Sequence, residues 1–132
     1  MPLRFLTLDD DYELLEIYEY FLTDAFFDVI IKKALNNEEA WLILKDFTPD
    51  LIITDLWHSP GGNGLDFLRE LRQDTTKSFI PVIGVSGYGY SVLLKKKKEF
   101  NAVLKKPITR RILIDCIKEF LPQTDEKEAT VG

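Results

Sequence analysis

The sequence predicts a doubly wound α/β domain built on five parallel strands. Three observations carry that expectation. Short apolar runs alternate with amphipathic stretches five times along the chain. The runs are rich in Ile, Val, Leu and Phe, as strands covered on both faces are. The length of 132 residues suits one domain and leaves no room for a second folded one. Since a right-handed crossover places helices on both faces of a parallel sheet, five such units stack into three layers.

In order, the expected strands are Leu3 to Leu8, Phe27 to Ile31, Leu51 to Thr54, Ile80 to Val85 and Ala102 to Lys105. Between the first two, Leu14, Ile17, Tyr18 and Phe21 recur at helical spacing and form one apolar stripe. Ala40, Ile43, Leu44 and Phe47 form the second stripe, closed by Pro49. Leu65, Leu68 and Leu71 form the third, opened by Asn63 as N-cap. A fourth helix, around Ser91 to Phe100, carries only Val92, Leu93, Leu94 and Phe100 beside four consecutive lysines, so it is expected to be short and loosely held. Leu113, Cys116, Ile117 and Phe120 form the last stripe, capped by Thr109 and stopped by Pro122. From Gln123 onward the chain is polar, acidic and without period, which reads as a frayed tail.

Composition narrows the classes of function. With 45% apolar and 30% charged residues the chain is an ordinary globular protein. A net charge of −5 argues against a protein whose main task is gripping nucleic acid phosphates. The single cysteine, Cys116, excludes an internal disulfide and points to a reducing, cytoplasmic setting. The apolar opening Met1 to Leu8 runs straight into Asp9, Asp10 and Asp11, so neither a signal peptide nor a membrane segment is expected there.

In doubly wound folds the chemistry sits beyond the carboxyl ends of the strands. Asp9 and Asp10 follow the first strand, Asp55 ends the third, Ser86 the fourth, and Lys105 and Lys106 the fifth, just before Pro107. Three acids in one crevice repel one another unless a cation lies among them. Oxygen-only ligands without Cys or His suit a hard ion such as Mg²⁺. Capping of the first helix accounts for Asp11 but leaves Asp55 and Lys106 at the same edge unexplained.

The fragments "LTLDDD", "PDLIITDL", "IPVIGVSG" and "LKKPIT", in this order and spacing, resemble the receiver domains of response regulators. The likeness runs from about Leu3 to Leu121. It implies the flavodoxin-like strand order 2-1-3-4-5, with a receiver domain over residues 1–121 and a polar tail over 122–132. It further implies that Asp55 accepts a phosphoryl group, that Ser86 is the hydroxyl and Lys106 the lysine of the site, and that Asp9 and Asp10 are its metal pair. Mg²⁺ would be bound directly by Asp10, Asp55 and the backbone carbonyl of Trp57, with Asp9 acting through water. The implied donor is a histidine kinase or a histidine phosphotransfer protein, and the output is contact with a downstream protein rather than with nucleic acid or membrane. Such a chain supplies chemistry for its own phosphorylation and hydrolysis without being a turnover enzyme.

Three features depart from the family pattern, one being that the segment between Ser86 and Lys106 is shorter than usual, in keeping with a weak fourth helix. The loop "LWHSPGGNG" after Asp55 is one residue longer than usual, and the position three before Lys106, commonly Tyr or Phe, is Val103. A Mg²⁺-dependent phosphohydrolase of the haloacid dehalogenase type is the rival from another class. It wants a second Asp two residues after the acceptor, where this chain has Trp57. A flavin carrier would need hydroxyls and backbone donors where Asp9 to Asp11 would repel the flavin phosphate. Bland readings suffice for three other features: Lys95 to Lys98 as a solvated helix face, His58 as an exposed loop residue, and Cys116 as a buried small hydrophobe. Trp57 and Tyr88, each two residues past a site residue, are expected to flank the acceptor.

Overall fold

The computed structural model describes residues 2–56, 63–87, 99–122 and 124–127. Its described elements are β1 (Leu3–Leu8), α1 (Tyr12–Ala25), β2 (Val29–Ala34), α2 (Asn37–Leu44), β3 (Leu51–Asp55), α3 (Gly64–Gln73), β4 (Val82–Ser86), β5 (Ala102–Lys105) and α4 (Arg110–Phe120). All strand pairs are parallel and the sheet order is β2-β1-β3-β4-β5, as expected. Of the segment expected to form a further helix, Ser91 to Phe100, residues 91–98 lie outside the described residues, and Glu99 and Phe100 are not helical.

Each described helix begins where its sequence provides an acceptor. The side chain of Asp11 accepts hydrogen bonds from the Glu13 and Leu14 N–H groups, that of Asn63 from Asp66, and that of Thr109 from Ile112. These contacts satisfy donors that the first helical turn leaves without an internal partner. Asn36 caps α2 in the same way through Glu39 N–H.

Alternation along the strands divides the core into two layers. Leu6, Leu8, Ile52 and Val82 pack toward α2 and α3 with Phe67, Leu68 and Leu71. Phe5, Leu51, Ile53, Ile83 and Val85 pack on the other face against α1 and α4, with Tyr18, Leu22, Leu113 and Ile117. Every residue of β3 and β4 is buried, the pattern of central strands covered on both sides. Their apolar side chains, each worth about 1.5–3 kcal/mol on burial, fix the register that aligns the strand ends.

Several expectations need correction. β2 spans Val29–Ala34 rather than Phe27 to Ile31, and Phe27 is 71% exposed just before it. The run Phe26–Phe27 mimics a strand start, whereas Phe26 turns inward to stack on Phe5 with ring centroids 6.1 Å apart. The strand itself includes Lys32 and Lys33, which an edge position tolerates. β4 begins two residues later than expected, at Val82, and reaches Ser86. On α1 the inward stripe is Leu15, Tyr18, Leu22 and Ala25, while Ile17 is exposed.

The described part of the expected tail is held to the domain. Glu126 forms an antiparallel bridge with Phe26, and the Lys127 N–H donates to the Ala25 carbonyl at 2.6 Å. The Glu126 carboxylate pairs with Lys118 at 3.0 Å and with Arg110 at 3.5 Å, and Arg110 also pairs with Asp24 at 2.8 Å. Glu126 and Lys127, which read as part of a frayed tail in the sequence, thus find partners on α1 and α4.

Candidate functional site

The site grows out of strand parity. Phe5, Thr7 and Asp9 succeed one another on one face of β1 and its continuation, as do Leu51, Ile53 and Asp55 on β3. Ala102, Leu104 and Lys106 follow the same alternation on β5 and beyond. Parallel register then brings Asp9, Asp55 and Lys106 together at the carboxyl edge of the sheet.

Lys106 Nζ lies 3.2 Å from Asp9 Oδ2 and 3.2 Å from Asp55 Oδ1. Asp9 is 1% exposed and Asp55 6%, while Asp10 is exposed beside them. One carboxylate oxygen from each of Asp9, Asp10 and Asp55 lies within 4.8 Å of the others. Asp9 also accepts a hydrogen bond from the Asp11 N–H at 2.9 Å, which fixes its carboxylate across the mouth of the site.

The electrostatics follow from burial. Desolvation holds the Asp9 carboxyl above its ordinary range, opposed by the Asp11 N–H bond, reinforced by the Asp55 charge and countered by Lys106. Burial alone would lower the Lys106 ammonium, but the charges and hydrogen bonds of Asp9 and Asp55 outweigh it and hold the group above its usual value. Lys106 is therefore a fixed positive charge shared by two buried acids.

Ser86 is completely buried at the end of β4, and its carbonyl accepts from the Lys106 N–H at 2.7 Å. That bond ties the hydroxyl-bearing strand end to the backbone of the lysine. The Lys106–Pro107 peptide bond is cis. Val103 packs on the α2 and α3 side, facing away from Lys106. Trp57, His58, Tyr88 and Lys95 to Lys98 lie outside the described residues.

Two contributors are harder to read from sequence. A Cβ on Gly64 would run into the Asp55 carbonyl oxygen and would lie 3.0 Å from its carbon and 3.1 Å from Leu56 Cα. The bare start of α3 thus abuts the backbone of Asp55, and Gly64 N–H donates to the Leu56 carbonyl at 3.1 Å. Asn37, buried at the start of α2, donates to the Asn63 carbonyl at 3.2 Å and ties α2 to the same place. A glycine immediately after an N-cap asparagine was the available signal for Gly64; nothing local marks Asn37.

The three acids fit a hard divalent cation. They offer oxygen ligands only, within mutual reach, with one carboxylate open to solvent. Lys106 neutralises part of their charge and leaves the site still acidic.

Comparison with known proteins places this arrangement in a family. Residues 5–118 match the response regulator receiver domain. The chain is 29% identical over 121 residues to the phosphate regulon transcriptional regulatory protein PhoB of Pseudomonas aeruginosa, covering 90% of this chain and 52% of that protein. It is 28% identical over 122 residues to a chemotaxis protein CheY homolog of Campylobacter jejuni, covering 90% and 92%. Among solved structures, CheY4 of Vibrio cholerae superposes with a TM-score of 0.79 at 20% identity over 91% and 99% of the two chains, a likeness of fold. A receiver domain of a histidine kinase from Syntrophus aciditrophicus gives 0.80 at 21% identity over 98% and 97%.

These matches, together with the parallel five-stranded sheet and the acidic crevice with a lysine at its edge, define the receiver class of two-component signalling. This chain belongs to the response regulator receiver domain family. It spans about half the length of PhoB and nearly all of the CheY homolog. The dehalogenase-type phosphohydrolase finds no support in these matches. No described helix is long and apolar enough to cross a membrane.

Proposed function

We propose that the chain accepts a phosphoryl group on Asp55 from the phosphohistidine of a histidine kinase or phosphotransfer protein, and passes the signal on through contact with a downstream protein. The observation that carries this reading is Lys106 Nζ at 3.2 Å from both Asp9 and Asp55. An acceptor carboxylate that is 6% exposed can approach a phosphate only if its surroundings cancel charge.

In the transfer, an Asp55 oxygen forms a bond to phosphorus while the phosphorus–nitrogen bond to the donor histidine breaks, its electron pair staying on the imidazole. Lys106 follows the transferred oxygens, and the buried Ser86 hydroxyl donates to one of them. Asp10 and Asp55 would hold Mg²⁺ directly, with Asp9 through water and the carbonyl of Trp57 as a further ligand. The ion would supply positive charge to the phosphoryl oxygens. Hydrolysis of the acyl phosphate returns the carboxylate, so the chain signals rather than turning over a substrate of its own.

Incubation with acetyl phosphate and Mg²⁺ should add one phosphoryl mass, and Asp55→Asn should abolish the gain. Undiminished uptake by that variant would refute the assignment.

A further inference from the structure

Beneath the acids, on the α1 face of the sheet, lie two buried hydroxyls with no part in the transfer step. Thr7 sits two residues before Asp9 on the same side of β1, is 0% exposed, and its Oγ1 has no hydrogen-bond partner among the described residues. Tyr18, the largest fully buried side chain among the described residues, is 2% exposed on α1, and its hydroxyl likewise lacks a described partner. Helical side chains lean toward the amino end of their helix, and the amino end of α1, at Tyr12, adjoins Asp9 to Asp11. The phenol therefore leans toward the acids.

Its electrostatics agree with that direction. Burial raises the Tyr18 hydroxyl well above its ordinary range, and the charges of Asp9, Asp55 and Asp11 push it further the same way. It remains a neutral donor facing a negative site. Leaving a buried hydroxyl unbonded costs free energy, so one held in place beneath a carboxylate calls for a role.

We propose that Tyr18 is a positioning residue for the phosphoryl site, its hydroxyl and that of Thr7 forming a polar floor that donates to Asp9 when Lys106 turns to the phosphoryl oxygens. In the structure Asp9 Oδ2 is held by Lys106 and Oδ1 by the Asp11 N–H. If Lys106 follows the transferred group, a carboxylate that is 1% exposed loses its cation. Neutral donors below it keep it oriented without adding charge that would compete with a metal ion. The proposal rests on Asp55 being the acceptor.

The test measures phosphoryl uptake from saturating acetyl phosphate, and Mg²⁺ binding alone, for the parent chain and for Tyr18→Phe, Thr7→Val and the double variant. Tyr18→Phe keeps the ring and removes only the oxygen. Uptake should slow about fivefold, the factor one neutral hydrogen bond supplies, with the half-saturating Mg²⁺ concentration unchanged because Lys106 still holds Asp9 before transfer. Thr7→Val should act in the same direction, and the double variant should fall no further than the worse single, since both hydroxyls serve one acceptor. Uptake by Tyr18→Phe within twofold of the parent, losses that multiply in the double variant, or an equal loss of Mg²⁺ affinity would each overturn the proposal. A parent chain that takes up no phosphoryl group would instead overturn the reading of Asp55.

Discussion

Replacing Gly64 by alanine sets two opposing effects against each other. Gly64 opens α3, and alanine is favoured over glycine in a helix by about 1 kcal/mol, so propensity alone expects a more stable protein. The added methyl, however, would strike the Asp55 carbonyl oxygen and crowd Asp55 C at 3.0 Å and Leu56 Cα at 3.1 Å. All three are backbone atoms, and β3 is buried along its whole length, so no side chain can swing aside to make room. Overpacking of this kind costs about 1–3 kcal/mol. Moving α3 away also stretches the Gly64 N–H to Leu56 carbonyl bond, a further loss of about 1 kcal/mol. Steric cost outweighs propensity, and the net expectation is destabilisation by about 2 kcal/mol. Urea denaturation should show a lowered midpoint with an unchanged slope. Phosphoryl uptake should fall by at least about tenfold, because a displacement on the order of 1 Å at a reacting group costs up to ~100-fold. A variant as stable as the parent, or more stable, would show that α3 does not press on Asp55.

Two further outcomes follow from charge and burial. Lys106→Ala removes a positive charge from beside Asp9 and Asp55, so Mg²⁺ should bind about tenfold more tightly while phosphoryl uptake collapses; calorimetry showing weaker Mg²⁺ binding would count against a shared site. Burial pushes the Cys116 thiol from 9.0 up to about 11, so the folded chain keeps a proton that the unfolded chain releases. That contribution is present in full below pH 9 and is lost as the pH rises through about 11, a change of about 3 kcal/mol. Cys116→Val should flatten the fall in stability between pH 9.0 and about 11, and urea titrations in which both proteins fall alike would contradict it.

The alternation of apolar runs and helical stripes made the layer order and β1 and β3 legible, because central strands have little freedom to disguise themselves. The edge strand β5 was legible from its short apolar run, Ala102 to Leu104. Phase was less legible on α1. Leu14–Leu15 and Phe21–Leu22 supply apolar residues in two adjacent registers, and only packing against the sheet selects Leu15 and Leu22. On β2, an edge strand buried on fewer sides, lysines interrupt the pattern and an exposed phenylalanine precedes it. At the site, Asp9, Asp55 and Lys106 were readable because a charge at the end of a buried apolar run is costly unless opposite charge meets it there. Gly64, Asn37, Thr7 and Tyr18 were not, since their contribution depends on contacts between elements far apart in sequence.

The groove at the amino ends of the strands, about 490 Å³, is lined by Pro2, Leu3 and Arg4 together with Leu121, Thr124 and Asp125. The first and last described stretches of chain thus meet at the pole opposite the acids. Joining them by a short linker and opening the chain elsewhere would alter connectivity without crossing the sheet, the circumstance in which circular permutants and inserted domains fold. Grafted into a loop of another protein, the domain would enter and leave by one end and present its acidic crevice outward at the other. A reporter attached in that way would sense phosphorylation without standing in the donor's path.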